Sequence, residues 1–101
     1  MILYHGTSKA RLPSILEHGL KCNYDSYSRG HVYFEKTFSG AQSWSVKWEV
    51  PVILEFDIPK KLVEVNMFGG DICIVPTKVS SKFLKKIWIW DKKKIKWINI
   101  L

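Results

Sequence analysis

His5, Gly6 and Thr7 form the first group of residues in the sequence that could bind a ligand. An imidazole can exchange a hydrogen bond with a hydroxyl group, and the Thr7 hydroxyl can add a second polar contact. A glycine between them lets the backbone come close to a flat ligand and present its N–H and C=O groups. A histidine beside a glycine also fits a purely structural role, so these residues indicate a site only in combination with others.

Tyr33 and Asp71 are the residues that could complete such a site. In the predicted strand His31–Phe34, side chains alternate between the two faces of the sheet, so Tyr33 lies opposite the apolar stripe. Its ring could stack on a planar group or pack on the second face of the sheet. Asp71 follows two glycines and opens an apolar strand, where a carboxylate can meet ligand hydroxyls. A plain turn often carries such an acid as well.

Several common site motifs are absent from the sequence. There is no glycine-rich GxGxxG fingerprint and no P-loop, which argues against a Rossmann dinucleotide fold and against an NTPase. There is also no GxSxG elbow and no HExxH segment. His5, His18 and His31 do not have the spacing of metal ligands. We therefore predict that the protein uses no metal ion.

The amino-terminal segment predicts a strand followed by a helix. The strand Ile2–His5 is expected to end at Gly6. The helix is indicated by apolar side chains at the i, i+3, i+4 spacing, namely Leu12, Ile15, Leu16 and Leu20. Pro13 fits the first turn of this helix, where a missing N–H is tolerated. Gly19 fits the left-handed residue with which many helices end.

The rest of the sequence predicts short strands and one or two short helices. A polar loop is expected over residues 23–30 and a helix over Thr37–Trp48, capped by Thr37 or Ser39, with a second short helix over Ser80–Lys86. The further predicted strands are Pro51–Ile58, Leu62–Asn66, Asp71–Val75 and a final hairpin of residues 87–90 and 95–101 around a charged turn. This mixture, mostly strands with one firm early helix, predicts the α+β class.

Length and composition place the chain among small globular domains. It has 101 residues, 47% hydrophobic and 25% charged, so we expect one domain over residues 1–101 and not a disordered chain. No apolar run approaches the ~20 residues of a membrane span, and no signal peptide is evident. We expect a soluble, cytoplasmic monomer without a membrane partner. Cys22 and Cys73 are expected to be buried and reduced, with a disulfide between them as the alternative.

The net charge of +7 is concentrated near the carboxyl-terminal end. Seven lysines stand against the single acid Asp91 there: Lys82, Lys85, Lys86, Lys92, Lys93, Lys94 and Lys96. Such a field favours an anionic partner such as nucleic acid, and its effect weakens with salt. A solvated lysine-rich surface is the alternative interpretation. The sequence has only two arginines, Arg11 and Arg29, which argues against specific reading of bases.

The order of these features resembles the ADP-ribosyltransferase superfamily, in its diphtheria-toxin-like branch. That branch includes poly-ADP-ribose polymerases, DNA-targeting ADP-ribosyltransferase toxins and RNA 2′-phosphotransferases. The segments that carry the resemblance are LYHGTSKARLPSILEHGLK, SRGHVYF, a helix around Ala41, FGGDICIVP and KVSSKFLKKIWI. They span residues 2–90, and the first segment is the most specific. The usual Glu of the later strand is replaced here by Asp71, which is one methylene shorter.

The resemblance implies a small, split, twisted and mostly antiparallel sheet that binds NAD⁺. It implies that His5 bonds a ribose hydroxyl, that the Gly6 backbone holds the nicotinamide amide and that Tyr33 stacks on the nicotinamide ring. It implies that Asp71 orients the nicotinamide ribose and favours positive charge at its anomeric carbon. Thr7 and Arg29 are expected to add contacts to NAD⁺.

The activity implied is that of a mono-ADP-ribosyltransferase, which transfers ADP-ribose from NAD⁺ to a nucleic acid or a protein. The lysine cluster motivates nucleic acid as the acceptor. Two alternatives stay open at this point. One is a non-catalytic module of the same fold that binds NAD, ADP-ribose or nucleic acid, motivated by the shorter Asp71. The other is an RNA 2′-phosphotransferase-like enzyme, because Arg29 and His31 match part of the second motif of those enzymes.

Overall fold

A computed structural model describes residues 1–21, 31–64, 72–76 and 78–101. Its helices and strands are β1 (Ile2–Ser8), α1 (Leu12–His18), β2 (Val32–Glu35), α2 (Phe38–Ser45), β3 (Pro51–Asp57), β4 (Ile72–Val75), β5 (Leu84–Asp91) and β6 (Lys96–Asn99). The strands form one antiparallel sheet in the order β4-β2-β1-β3-β5-β6. This confirms the predicted α+β class.

The main core lies on the face of the sheet that α1 covers. Side chains of alternate strand residues point to this face, because the side-chain period of a strand is two. Leu3, Phe34 and Phe56 are almost completely buried there, and Leu12 and Ile15 of α1 pack onto the same cluster. Burial of such side chains stabilises a domain by about 1.5–3 kcal/mol each. Cys73 is buried in this core as expected, while Cys22 lies outside the described residues.

Helix α1 begins and ends where the sequence predicts. Pro13 lies in its first turn. Gly19 follows its last residue with φ of +77°, and the Gly19 N–H donates to the Ile15 carbonyl. A Cβ at Gly19 would also collide with the Val79 carbonyl, since Leu20 forms a two-residue bridge with Val79 at this point. Glycine is therefore required here for both its backbone conformation and its size.

Helix α2 covers the opposite face of the sheet, over β1 and β3. The Thr37 side chain accepts a hydrogen bond from the Gly40 N–H at 3.1 Å, which confirms Thr37 as the cap. The helix ends at Ser45 and not at Trp48 as predicted. The first turn carries Phe38, whose ring meets those of Tyr4 and Trp88 edge to face. Aromatic side chains therefore hold this end of α2 on the sheet.

Other sequence predictions are also wrong in their boundaries, and the predicted strand His31–Phe34 is shifted by one residue to Val32–Glu35. Strand β1 does not end at Gly6 but continues to Ser8. Only Ser81–Phe83 of the predicted Ser80–Lys86 helix is helical, as a single 3-10 turn, and strand β5 begins directly after it. A 3-10 turn, Lys60–Leu62, also occupies the start of the predicted Leu62–Asn66 strand. The rest of that strand from residue 65, with the glycine turn, lies outside the described residues.

The predicted carboxyl-terminal hairpin is confirmed as β5 and β6. The Asp91 carboxylate accepts hydrogen bonds from the backbone N–H groups of Lys93 and Lys94, which closes the turn. Trp90 pairs with Trp97 across the hairpin. All seven lysines of the basic cluster are exposed. None of the helices in the described part of the chain has the length and apolar character needed to cross a membrane.

Candidate functional site

The two edges of β1 differ in the extent of their pairing. Toward β3, seven consecutive residues of β1 have partners, from Ile2 opposite Asp57 to Ser8 opposite Pro51. Toward β2, only Tyr4 has a partner, Glu35. The sheet is therefore continuous in strand order but open along most of the β1–β2 boundary.

Hydrogen bonds at the ends of the β1–β3 ladder show which backbone groups face the opening. The Lys9 N–H donates to the Val50 carbonyl, and the Ile58 N–H donates to the Met1 carbonyl. In an antiparallel strand, successive residues direct their N–H and C=O groups to opposite neighbours. Odd-numbered residues of β1 therefore bond to β3, and even-numbered residues, including Gly6, direct their backbone groups toward β2.

The next pair of the β1–β2 ladder would join Gly6 to Tyr33, but this pair does not form. The His5 side chain contacts β2 instead, with its Nδ1 at 2.8 Å from the Tyr33 carbonyl. A carbonyl only accepts, so Nδ1 is the donor. The Gly6 N–H and C=O are thus directed into the gap between the strands. The predicted contact of this backbone with a ligand stays a prediction.

A cavity of about 590 Å³ occupies this gap, within the usual range of ligand sites. Four of the residues predicted to contact a ligand line it: His5, Gly6, Thr7 and Tyr33. Thr7 is only 2% exposed, so it offers little surface to a ligand. The structure thus brings together side chains that are 28 positions apart in sequence.

Asp71 and Arg29 lie outside the described residues, so their predicted roles stay predictions. The residue after Asp71 is described: Ile72 pairs with Glu35 and lines the cavity. His31, the second residue after Arg29, lines it too. The Nδ1 atom of His31 is buried and has no hydrogen-bond partner among the described residues.

His5 is held in its neutral form. Burial lowers its pKa below the ordinary imidazole value, and the charge of Arg11 lowers it further. The hydrogen bond to the Tyr33 carbonyl acts in the opposite direction but does not outweigh burial. A neutral ring that donates through Nδ1 has a lone pair on Nε2. Nε2 is therefore available to accept a hydrogen bond from a ligand hydroxyl.

Gly6 has a second role that the sequence did not indicate. A Cβ at this position would lie 2.5 Å from the Ala41 carbonyl oxygen and 3.1 Å from the Ser45 backbone nitrogen. The absence of a side chain therefore lets α2 pack directly on β1. Lys47 and Trp48, which follow Ser45, line the cavity. The packing of α2 on β1 therefore also positions this wall of the cavity.

Sequence reasoning missed Glu35, a carboxylate on the cavity wall. Its Oε1 accepts a hydrogen bond from the Trp44 indole N–H at 2.9 Å, and its Oε2 lies beside Gly40 of α2. The sequence did carry a signal for Glu35: side chains of a strand alternate between its two faces, which places Glu35 on the same face of β2 as Tyr33. The bond to Trp44 fixes both side chains at the mouth of the cavity.

The predicted basic cluster is separate from this cavity, since none of its seven lysines lines it. Within the part of the chain that the structure describes, no group of His, Cys, Asp and Glu could hold a metal ion. Comparison with protein-family models finds no match for this sequence, and comparison with curated proteins finds none either. The geometry of the cavity therefore carries the functional interpretation.

Proposed function

We propose that this protein binds NAD⁺ in the cavity between β1 and β2 and acts as a mono-ADP-ribosyltransferase. The observation that carries the proposal is the incomplete β1–β2 ladder. It leaves the Gly6 backbone directed at a cavity that His5 and Tyr33 also line. These are the three positions at which the resemblance to ADP-ribosyltransferases expects contacts with the nicotinamide riboside half of NAD⁺.

The chemistry of nicotinamide suits the open edge of β1. Its carboxamide has one N–H donor group and one carbonyl acceptor, so it can pair with the Gly6 C=O and N–H as a neighbouring strand would. The Tyr33 ring offers an aromatic face for the pyridinium ring. The neutral His5 can accept a hydrogen bond from a ribose hydroxyl through Nε2. The cavity would thus hold the ring and its ribose in one orientation.

The reaction breaks the bond between the ribose anomeric carbon and the pyridinium nitrogen. The bonding electrons go to nicotinamide, which leaves as a neutral molecule and needs no acid to protonate it. Positive charge then develops on the ribose, as in glycoside cleavage, and a nearby carboxylate stabilises it. We assign this role to Asp71. The acceptor forms a new bond to the anomeric carbon and loses a proton to solvent.

The proposed activity is tested by incubating the protein with labelled NAD⁺ and separate samples of DNA, RNA and protein. We expect nicotinamide release together with label on one class of acceptor. Asp71→Asn should lower turnover by about 100-fold or more, because it removes the charge that stabilises the transition state. It should leave the Kd for NAD⁺ within about threefold of its original value, since Asp71 acts mainly on the transition state. Asp57→Asn, at an exposed acid on β3, is the matched control.

The outcomes separate the proposal from its alternative. Binding of NAD⁺ without nicotinamide release, with activity created by Asp71→Glu, would identify a non-catalytic module of the same fold. Absence of NAD⁺ binding by the folded protein would contradict both.

A further inference from the structure

Two cations and two indoles form a compact cluster at the mouth of the cavity. The members of this mouth cluster are Arg11, Trp44, Lys47 and Trp48. The Arg11 guanidinium carbon lies 4.6 Å from the centre of the Trp48 ring. The Lys47 ammonium lies 5.2 Å from Trp48 and 5.6 Å from Trp44. These distances are within the range of cation–π contacts.

The cluster joins elements from opposite faces of the sheet. Arg11 is the residue directly before α1, whereas Trp44 lies in α2 and Lys47 and Trp48 follow its end. Trp44 and Trp48 are four residues apart, a spacing that puts two side chains on the same side of a helical segment. The hydrogen bond from the Trp44 indole to Glu35 fixes one of these rings against β2. The cluster is therefore built and held in place before any ligand arrives.

The charges of this cluster have no acidic partner among the described residues. Neither Arg11 nor Lys47 lies within 4.0 Å of a carboxylate in this part of the chain, where the two ion pairs involve Met1 with Asp57 and His18 with Glu17. Lys21 adds a third cation to the cavity lining. These cations are exposed, and two of them lie against an aromatic face without a counter-ion, which favours an anionic ligand. An arginine stacked on a ring also keeps its edge N–H groups available.

We propose that the mouth cluster binds the diphosphate of the dinucleotide through Arg11 and Lys47 and stacks its purine on Trp44. This inference rests on the proposed function, which places the nicotinamide half at Gly6 and Tyr33 inside the same cavity. A ligand that carries aromatic rings and two phosphates matches a cavity that is lined by aromatic side chains and by cations without a counter-ion. Trp44 is 43% exposed, so its ring has free surface for a base.

The test measures binding of two fragments of the dinucleotide by titration calorimetry at low ionic strength. ADP carries the diphosphate and the purine, and nicotinamide riboside carries neither. The variants are Arg11→Gln, Lys47→Gln and Trp44→Leu in the full chain, with Lys61→Gln at an exposed lysine outside the cavity as the matched control. Thermal unfolding of each variant establishes that it is folded.

We expect Arg11→Gln and Lys47→Gln each to weaken ADP binding by roughly 10- to 100-fold, as for loss of a hydrogen bond to a charged group. Trp44→Leu should weaken it by about tenfold, through lost stacking. Nicotinamide riboside should bind all variants within about twofold of the original protein. Lys61→Gln should change neither affinity.

The inference is overturned if the original protein does not bind ADP, or if the folded variants bind ADP as it does. It is also overturned if the variants lose binding of a single-stranded oligonucleotide but keep that of ADP, because the cluster would then belong to a polymeric acceptor. Nicotinamide release from NAD⁺ is measured on the same samples. If nicotinamide is released but the variants bind ADP as the original protein does, the proposed function stands and the inference fails. If the variants lose ADP binding as expected but the original protein releases no nicotinamide, the inference stands and the proposed enzymatic activity fails.

Discussion

The two edges of β1 use the same backbone chemistry for different purposes. Toward β3, the N–H and C=O groups of alternate residues are paired over seven positions, and most of the β3 side chains there are buried. Toward β2, one pair forms, and the next position that could pair, Gly6, faces a cavity. The closed edge contributes to stability, whereas the open edge directs hydrogen-bonding groups of the backbone into a cavity.

This difference shows how a strand in the middle of a sheet can direct backbone groups into a cavity. An unpaired backbone group in the interior normally destabilises a fold, so ladders close wherever the neighbouring strand is within reach. Here the His5 side chain donates to the Tyr33 carbonyl, which satisfies one group of β2 without closing the ladder. The His5 side chain therefore links β1 to β2 at the position where the backbone pair between Gly6 and Tyr33 does not form.

The largest effect is expected at the closed edge, from Phe56→Ala. Phe56 is completely buried on β3 and its ring lies 5.7 Å from that of Phe34. Loss of the ring should lower the free energy of unfolding by about 3–5 kcal/mol. Urea denaturation measures this change, and Phe56→Leu should recover most of it. NAD⁺ affinity of the folded Phe56→Leu protein should be unchanged; a large loss of affinity would show that the two edges are not separable.

A smaller loss of stability with a larger loss of binding is expected from Gly6→Ala. The new Cβ would lie 2.5 Å from the Ala41 carbonyl, which is rigid helix backbone, so α2 must move. We expect a destabilisation of about 1–3 kcal/mol and the loss of measurable NAD⁺ binding. Ser39→Ala, at an exposed position of α2 that does not line the cavity, is the control. Equal NAD⁺ affinity of Gly6→Ala and Ser39→Ala would contradict this account of the open edge.

The sequence predicted which helices and strands form better than it predicted the residues at which they begin and end. The first helix and the final hairpin follow local rules, namely the spacing of apolar residues, the cap and the charged turn. The end of β1 was misplaced because Gly6 interrupts a strand pattern, whereas the residue is tolerated inside β1 only because α2 packs against it. That contact joins residues 35 positions apart and has no local signal.

The site was predicted only in part, because contacts between residues far apart in sequence also bring its members together. His5, Gly6 and Tyr33 were chosen through the resemblance to ADP-ribosyltransferases, since residue type and strand position alone fit a structural role as well, and they line one cavity. Glu35 and the mouth cluster were missed, since a glutamate at a strand end and a tryptophan in a helix are common on ordinary surfaces. Only the assembled sheet shows that they border the gap between β1 and β2.

The smallest effect concerns the pH dependence of stability at the open edge. Burial lowers the pKa of His5, so between that lowered value and about 6.5 the unfolded chain binds more protons than the folded one. The contribution of His5 to stability is complete above this window and is lost as the pH falls through it. Thermal unfolding between pH 5 and 8 should show this slope, and His5→Asn, which does not titrate, should reduce it. An identical slope in the variant would contradict the assignment of a neutral, buried imidazole.

The central claim is that the open edge of β1 holds the nicotinamide half of NAD⁺. The most direct measurement is a crystal structure of the protein grown with saturating NAD⁺. The account predicts the carboxamide on the Gly6 N–H and C=O, the pyridinium ring against Tyr33 and a ribose hydroxyl at His5 Nε2. A structure in which Gly6 pairs with Tyr33 and closes the gap, or in which NAD⁺ lies elsewhere on the protein, would contradict it.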